Sequence, residues 1–462
     1  METNILRQKM TAVIDEVNSR VVEREELTHY ITLALLTRMN LFVLGGTGQA
    51  KSFVIDLFRE RIEGAKQYEV LMSKEIDRDE LFGRLDLASI IPGNVSRNKL
   101  LSDPLYKEFS DALSYMKDTY QQNSTDAAVL EQITELQQHM ESYRKVLAEL
   151  YGGKPEIITE DKIPDSHICF IDEIFKSGDV VLNSLLKALN ERRYTNEGAT
   201  IEIPVISFFS ASNEIPNFKN PEEKILRPLY DRFQLKVKTE YVTEKENRLK
   251  MLKAKQSYTP ATVSSSITLD ELYQMQQDIK SIPIPDSVNE LMDTILCELR
   301  KKEIHVSDRV FFDYGIVVQA EAWLCGDDKV KPDHLKTLVN YLWSTPEEIT
   351  VIEDVLNRLC ENPLGDQLAL ILSDAYRIRD DFNSETDKNR ALQKLKAEIV
   401  PVYDALVTLK DGISADDSAI ASVDSAIQTV EEVSKKAHEQ TGFTYIRLPE
   451  IKALQTLNDK RG

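Results

Sequence analysis

The sequence predicts an α/β core with a mostly parallel sheet, followed by regions built only of helices. Three observations carry that reading. The apolar run NLFVL stops at the glycine-rich stretch GGTGQAKS, and an amphipathic segment follows. Strand, turn and helix in that order open a βαβ unit. YEVLMS, HICFIDE and ISFFSASNE are further short apolar runs, separated by segments with helical spacing. That alternation makes a parallel sheet with helices on both faces. From residue 243 onward the apolar residues recur at helical spacing alone.

Each element follows in order. Residues 1–38 read as helices, with Leu6, Met10, Val13 and Val17 on one face and Leu27, Ile31 and Leu35 on the next. After the first strand, SFVIDLFRERI places Phe53, Ile55, Leu57, Phe58 and Ile62 on one helical face. YEVLMS (68–73) is a strand, and RDELFGRLD a short helix closed near Gly83. HICFIDE (167–173) is a strand expected to lie beside the first one. VVLNSLLKALNERRY (180–194) is a helix, TNEGATIEIPV a hairpin turning at Asn196–Gly198, and ISFFSASNE (206–214) a strand.

Two segments carry coiled-coil spacing. Val129, Ile133, Leu136, Met140, Tyr143, Leu147 and Leu150 alternate by four and three residues. Before them, Leu105, Phe109, Leu113, Met116 and Tyr120 mark another helix, with Asp103 as its cap and Pro104 in its first turn. With a turn at NST (123–125), residues 103–151 become a helical hairpin about 37 Å long. The second segment pairs Leu392, Leu395, Ile399, Val402, Leu406 and Leu409 with Ile420, Val423, Ile427 and Val430. Asp411–Gly412 lies between them, and Pro401 should kink the first helix. FTYIRL (443–448) is one more short strand candidate.

Bulk composition narrows the function. The 462 residues are 42% hydrophobic, enough for several cores, yet no apolar run approaches the roughly 20 residues of a membrane helix. METNILRQKMTAVIDE is polar and periodic, unlike a signal peptide. Cys169, Cys297, Cys325 and Cys360 are scattered without a CxxC pair, which points to a reducing cytoplasm. The six histidines lack metal-ligand spacing such as HExxH. The net charge is −20, with 77 acidic against 57 basic residues. That balance disfavours a nucleic-acid grip and favours protein partners.

The chemistry sits at strand ends. LGGTGQAKS (44–52) is built to hold phosphate: backbone N–H groups converge at a helix N-terminus whose dipole attracts anions. Gly45, Gly46, Thr47, Gly48, Gln49 and Ala50 form the loop. Lys51 supplies a cation for the β- and γ-phosphates, and the Ser52 hydroxyl can ligate Mg²⁺. Ala50 stands where such loops usually carry glycine, and it fits if that position is already helical. In ICFIDE, Asp172 emerges at the carboxyl edge of the sheet and can hold the Mg²⁺ hydration shell. Glu173 beside it can orient an attacking water. Asn213, at the tip of ISFFSASN, can reach the γ-phosphate or that water, and Arg232 in LYDRF can enter a neighbouring subunit's site.

Loop, ICFIDE, SASNE, LYDRF and VSDR, in this order, resemble the MoxR-type AAA+ ATPases, and among them the RavA-like branch, which also has alanine in the third glycine position. VVEREELTHYITLALL (21–36), LMSKEIDRDELFGRL (71–85), DEIFKSGDVVLNSLLKALNERRY (172–194) and IPIPDSV (282–288) add to the likeness, which spans about residues 1–345 without 94–165. The resemblance implies an AAA+ P-loop core over 1–242, the 103–151 hairpin inserted in it, an all-α lid over 243–345 and a helical C-terminal domain over 346–462. Lys51 and Ser52 then look like the Walker A pair, and Asp172 and Glu173 like Walker B. Asn213 looks like sensor 1, Arg232 like the arginine finger with Arg227 close by, and Arg309 of VSDR like sensor 2. The implied activity is Mg²⁺-dependent ATP hydrolysis in a homo-oligomeric ring, commonly a hexamer. Such rings remodel or activate partner proteins, often one with a von Willebrand factor A domain. A nucleic-acid motor of a defence or restriction system and a slow-turnover ATP-controlled scaffold are the alternative readings. The family loop usually carries proline where this chain has Gly46 and Thr47, and the hairpin is longer than the usual family insertion.

Overall fold

The computed structural model describes residues 2–91, 93–122, 127–196, 198–256, 265–361, 363–411 and 419–452. The expected turns at 123–125 and at Gly412 lie outside these residues, as does Glu197 in the 193–202 hairpin. The chain forms two compact units. One comprises Met1–Pro285, Val306–Val330 and Thr337–Ile349; the other comprises Asp286–His305, Lys331–Lys336 and Thr350–Gly462.

The first unit is organised by a five-stranded sheet: β1 (Leu41–Leu44), β2 (Gln67–Leu71), β3 (Ile168–Asp172), β4 (Ser207–Ser212) and β5 (Leu235–Lys238). All neighbours are parallel, in the order β5-β1-β4-β3-β2. This corrects one expectation: β3 does not lie beside β1, because β4 lies between them. Burial explains the order. Every residue of β4 is buried, as a central strand covered on both faces must be. β2 alternates between exposed and half-buried residues and takes the edge. Phe42, Cys169, Ile171 and Phe208 of the sheet join Leu185, Ala188 and Leu229 in one core.

β5 escaped the sequence reading because LKVK alternates lysine with apolar residues, like a surface strand. Here Lys236 is buried 5.3 Å from the centre of the Tyr230 ring, and burial pushes its amine down to about 8. A second correction concerns the helix after the loop. It spans Lys51–Arg59 and stops before Ile62, which pairs in parallel with Ile267 in a small second sheet. Arg61 anchors that change of direction: it is fully buried, with its guanidinium 2.9 Å from Glu16 Oε1. Arg193–Asn196 and Ala199–Glu202 pair as an antiparallel hairpin.

The segment between β2 and β3 holds two long helices, Pro104–Gln122 and Ala127–Tyr151. Asp103 Oδ1 accepts from the Tyr106 N–H at 2.9 Å, and Tyr143 OH donates to Asp103 Oδ2 at 3.3 Å. Phe109 and Tyr143 meet edge to face across the pair, 6.1 Å apart. At the base, Val95, Leu147 and Ala148 form a small core of their own with Leu100, Tyr106 and Tyr143.

In the second unit, Pro363–Ser384, Lys388–Asp411 and Ala419–Thr441 are helices around a core that includes Ala375, Ile378, Leu395, Ile399, Leu406, Val423 and Val430. Pro401 lies inside a helix that runs through it. FTYIRL is not a strand. Its Leu448 is buried in this core, the Leu448 N–H donates to Glu431 Oε1 at 3.2 Å, and Tyr445 OH donates to Glu431 Oε2, so side-chain docking replaces strand pairing.

Candidate functional site

Sheet register sets the site. Leu44 is level with Ser212 across β1 and β4, and Ala211 with Asp172 across β4 and β3. The residues just beyond, Gly45, Asn213 and Glu173, therefore leave the sheet at the same carboxyl edge, where open α/β sheets bind ligands.

The loop is packed from below. The Gly45 N–H donates to Ser212 O at 3.0 Å. A Cβ on Gly45 would stand 2.1 Å from Thr239 Oγ1 and 2.2 Å from Gln49 Oε1, so any larger residue would have to displace both side chains. Those two atoms belong to a hydrogen bond of 2.7 Å from Thr239 to Gln49. Arg24, buried, donates from Nε to Gln49 O at 3.0 Å and from NH2 to Glu240 O at 2.7 Å. Tyr241 OH donates to Thr47 O at 3.4 Å and would stand 2.9 Å from a Cβ on Gly46. Thr239, Tyr241 and Arg24 were not picked out as site residues. The first two follow the unforeseen β5, and Arg24 lay in a stretch that had only its likeness to recommend it.

Gly48 has φ +76. Ala50 has φ 60 and ψ 24, left-handed rather than helical, which overturns the expectation that this position belongs to the helix. The helix starts at Lys51, and Ala50 is the flanking residue whose carbonyl accepts the first helical bond, from Val54 N at 3.1 Å. A Cβ in that conformation costs about 1–2 kcal/mol. The loop thus holds a strained alanine where glycine would be relaxed.

Four candidate side chains converge. Lys51 is buried, and its Nζ donates to Gly45 O, to Gly46 O at 2.9 Å and to Asn213 Oδ1 at 3.3 Å. Burial lowers its pKa, against the pull of Asp172 and Glu173. The other end of the same amide, Asn213 Nδ2, donates to Glu173 Oε1 at 3.0 Å. Glu173 is itself left-handed, φ 53, with Lys176 Nζ 3.6 Å from its Oε2. Asp172 Oδ1 accepts from the Glu173 N–H at 3.0 Å, and burial raises its pKa while that bond opposes the rise. Ser52 is half-buried in the first turn of the helix.

The arginines stand apart from this cluster. Arg309 pairs with Asp313 of its own helix at 3.9 Å. Arg232 is half-buried; its carbonyl accepts from Asn40 Nδ2 at 2.8 Å, and its Nε is buried without a partner among the described residues. Arg227 is largely exposed, 5.9 Å from the Phe218 ring centre and 4.0 Å from Asp231.

The residues present fit a nucleotide phosphate chain and a hard cation. At Gly45 the backbone packs closely under Thr239 and Gln49, Lys51 brings a desolvated ammonium, and Ser52 with Asp172 offers oxygen donors.

Comparison with known proteins agrees. The family model for the MoxR domain in MoxR-vWA-beta-propeller ternary systems matches residues 8–105 and 130–277, more than half of the chain. A model of an AAA lid domain matches residues 284–356. An uncharacterized protein of Methanocaldococcus jannaschii is 26% identical over 363 residues, 78% of this chain and 77% of its own. A second uncharacterized protein of that organism is 27% identical over 334 residues, 72% of this chain and 71% of its own. The crystal structure of a candidate ATPase from Cytophaga hutchinsonii superposes with a TM-score of 0.52 at 16% identity, over 77% of this chain and 96% of that one, and so shares the fold. With the loop, the paired carboxylates and the lid all accounted for, the chain belongs to the MoxR family of AAA+ ATPases.

Proposed function

We propose that this protein hydrolyses ATP with Mg²⁺ and uses the cycle to remodel or activate a partner protein. The observation that carries the reading is the Asn213 amide, which joins Lys51 to Glu173 at the sheet edge. In this reading Gly45 to Ser52 hold the phosphates, and Ser52 and Asp172 hold the cation, which would neutralise phosphate charge. Glu173 orients the attacking water and draws off its proton, with Asn213 fixing the carboxylate. Arg232 reaches into a neighbouring subunit as the finger, and Arg309 senses nucleotide from the lid. The greater exposure of Arg227 makes it the residue to compare against Arg232.

The active form in this reading is a ring, commonly a hexamer, in the cytoplasm. No helix among the described residues is long and apolar enough to cross a membrane. A von Willebrand factor A domain protein is the proposed partner, supported by the ternary systems in which the matching domain is described. Ala50 supports placement in the RavA-like branch. The proposed domain order is a core over 1–242, a lid over 243–345 and a helical domain over 346–462. Steady-state phosphate release tests the chemistry: Glu173→Gln should bind ATP with wild-type affinity and turn over more than about 100-fold more slowly. Equal turnover would remove Glu173 from the mechanism.

A further inference from the structure

The inserted hairpin has two ends of opposite character. Its base, formed by residues 84–107 and 144–154, carries Arg84, Arg97, Lys99, Lys107, Arg144, Lys145 and Lys154 in a chain of net charge −20. Of the three acids there, Asp86 and Asp103 accept from Ala88 N and Tyr106 N at helix ends and Glu149 is exposed, while Arg97 and Arg144 pair with Glu160 and Glu141. The base also exposes large apolar side chains: Leu87 at 67%, Leu150 at 64%, and Ile90, Ile91, Leu101 and Tyr151 above 40%. They surround the small core of Val95, Leu147 and Ala148, and the Gly153 N–H bond to Ser89 O ties the two chain segments together. Such a concentration of exposed apolar groups inside a basic rim marks a docking surface.

The part of the arm beyond the base, residues 108–122 and 127–143, is acidic. Glu108, Asp111, Asp118, Glu131, Glu135 and Glu141 are exposed there, against Lys117, with Glu141 paired back to Arg144 of the base. Tyr115 is 74% and Leu130 48% exposed. Among the described residues, Lys99, Lys145 and Lys154 at the base make no ion pair, nor do Asp111, Asp118 and Glu135 in the outer half. Both ends thus carry uncompensated charge of opposite sign beside unburied apolar groups. The family model passes over residues 106–129, so most of the first of the two helices lies outside the matched domain.

We propose that the occupant of the basic, apolar base is a second copy of this chain: the acidic outer half of one arm docks on the base of its neighbour. In the proposed contact each base takes the tip of the next subunit, head to tail, which leaves a free tip and a free base until a ring closes; two arms docked reciprocally would instead close at two subunits. Opposite charge steers the encounter and fixes the pairing, while Tyr115, Leu130 and the base apolar groups supply the buried area. The inference rests on the ring reading above, and it adds a contact outside the nucleotide site.

Charge exchange in the full chain tests it, with mass measured by light scattering in low salt and a slowly hydrolysed ATP analogue. Asp111→Lys, Asp118→Lys and Glu135→Lys together should lower the assembled fraction at least tenfold. Lys99→Glu, Lys145→Glu and Lys154→Glu together should do the same. The chain with all six changes should recover at least half of the wild-type assembly, which a merely damaged surface would not. Circular dichroism melts confirm that each variant is folded, and removal of residues 106–129 with a short Gly-Ser bridge should lower assembly as the tip reversal does. If the wild type assembles and neither reversal matters, the arm contact is overturned and the ring stands. If the wild type stays monomeric, the ring reading and this inference fall together. A mass closing at two subunits overturns the head-to-tail order.

Discussion

The carboxyl edge of the sheet and the inserted hairpin are both built from this one unit, yet they are held in opposite ways. At the sheet edge, residues from sequence positions as distant as 24, 51, 173, 213 and 239 are fixed by a buried register and by hydrogen bonds that link one element to another. The hairpin is held by its own neighbours in sequence, through Asp103, Phe109 and Tyr143 and a core of three buried residues at its base. The difference teaches where change is tolerated. A site fixed from many directions cannot absorb a misplaced atom, whereas a self-contained hairpin can change without the sheet noticing.

The strongest way to break that contrast is Gly45→Val. Its side chain would collide with Thr239 and Gln49, and nucleotide affinity, measured by titration calorimetry, should fall by about 100-fold or more. A wild-type affinity would show that the loop yields more easily than the sheet edge implies. Ala50→Gly acts in the other direction. Relief of the left-handed alanine should raise the thermal midpoint by about 2–4 °C, reduced by the extra freedom glycine gives the unfolded chain.

Glu23 offers a smaller, pH-dependent test. Its carboxylate accepts from Thr243 N at 2.9 Å, Asn247 Nδ2 at 3.0 Å and Glu244 N at 3.1 Å, at the start of the 245–256 helix. The Thr243 bond, followed by that of Asn247, holds its pKa down to about 2 from 4.5. The unfolded state therefore binds the proton more readily. The contribution is full above pH 4.5 and is lost as pH falls through 4.5 towards 2. Glu23→Gln should lower the midpoint by only about a degree at pH 7, because solvent screens a half-exposed carboxylate, and by less at pH 3, where the unfolded chain takes up the proton. An equal shift at both values would remove the charge from the account. The least effect is expected in the hairpin: without residues 106–129, nucleotide affinity of the isolated subunit should stay within about twofold. A larger loss would tie the arm to the site.

Much of this was legible in the sequence. The loop, the paired carboxylates and Asn213 stand at strand ends, and strand ends are marked by apolar runs that stop. Order within the sheet was not legible, because fully buried strands such as FVL, CFI and FFSA look alike from either side. β5 was hidden by its two lysines, one of which the fold buries. The conformation of Ala50 is not legible from helix propensity, because the handedness of the turn decides it. FTYIRL had strand composition, but Leu448 and Tyr445 found partners on a helix instead.

The register of Leu44 with Ser212 and of Ala211 with Asp172 has a consequence for how this gene can lengthen. Side chains alternate across a strand, so one codon added or lost within β3 or β4 would send Glu173 or Asn213 to the wrong face. Additions between strands carry no such penalty. β2 and β3 are adjacent and parallel, and the segment between them already has to cross from one end of the sheet to the other. Any excursion that leaves and returns at the same spot is neutral to the register. The crossing between those two strands is therefore a place where heredity can write freely, and the strand tips are where it cannot.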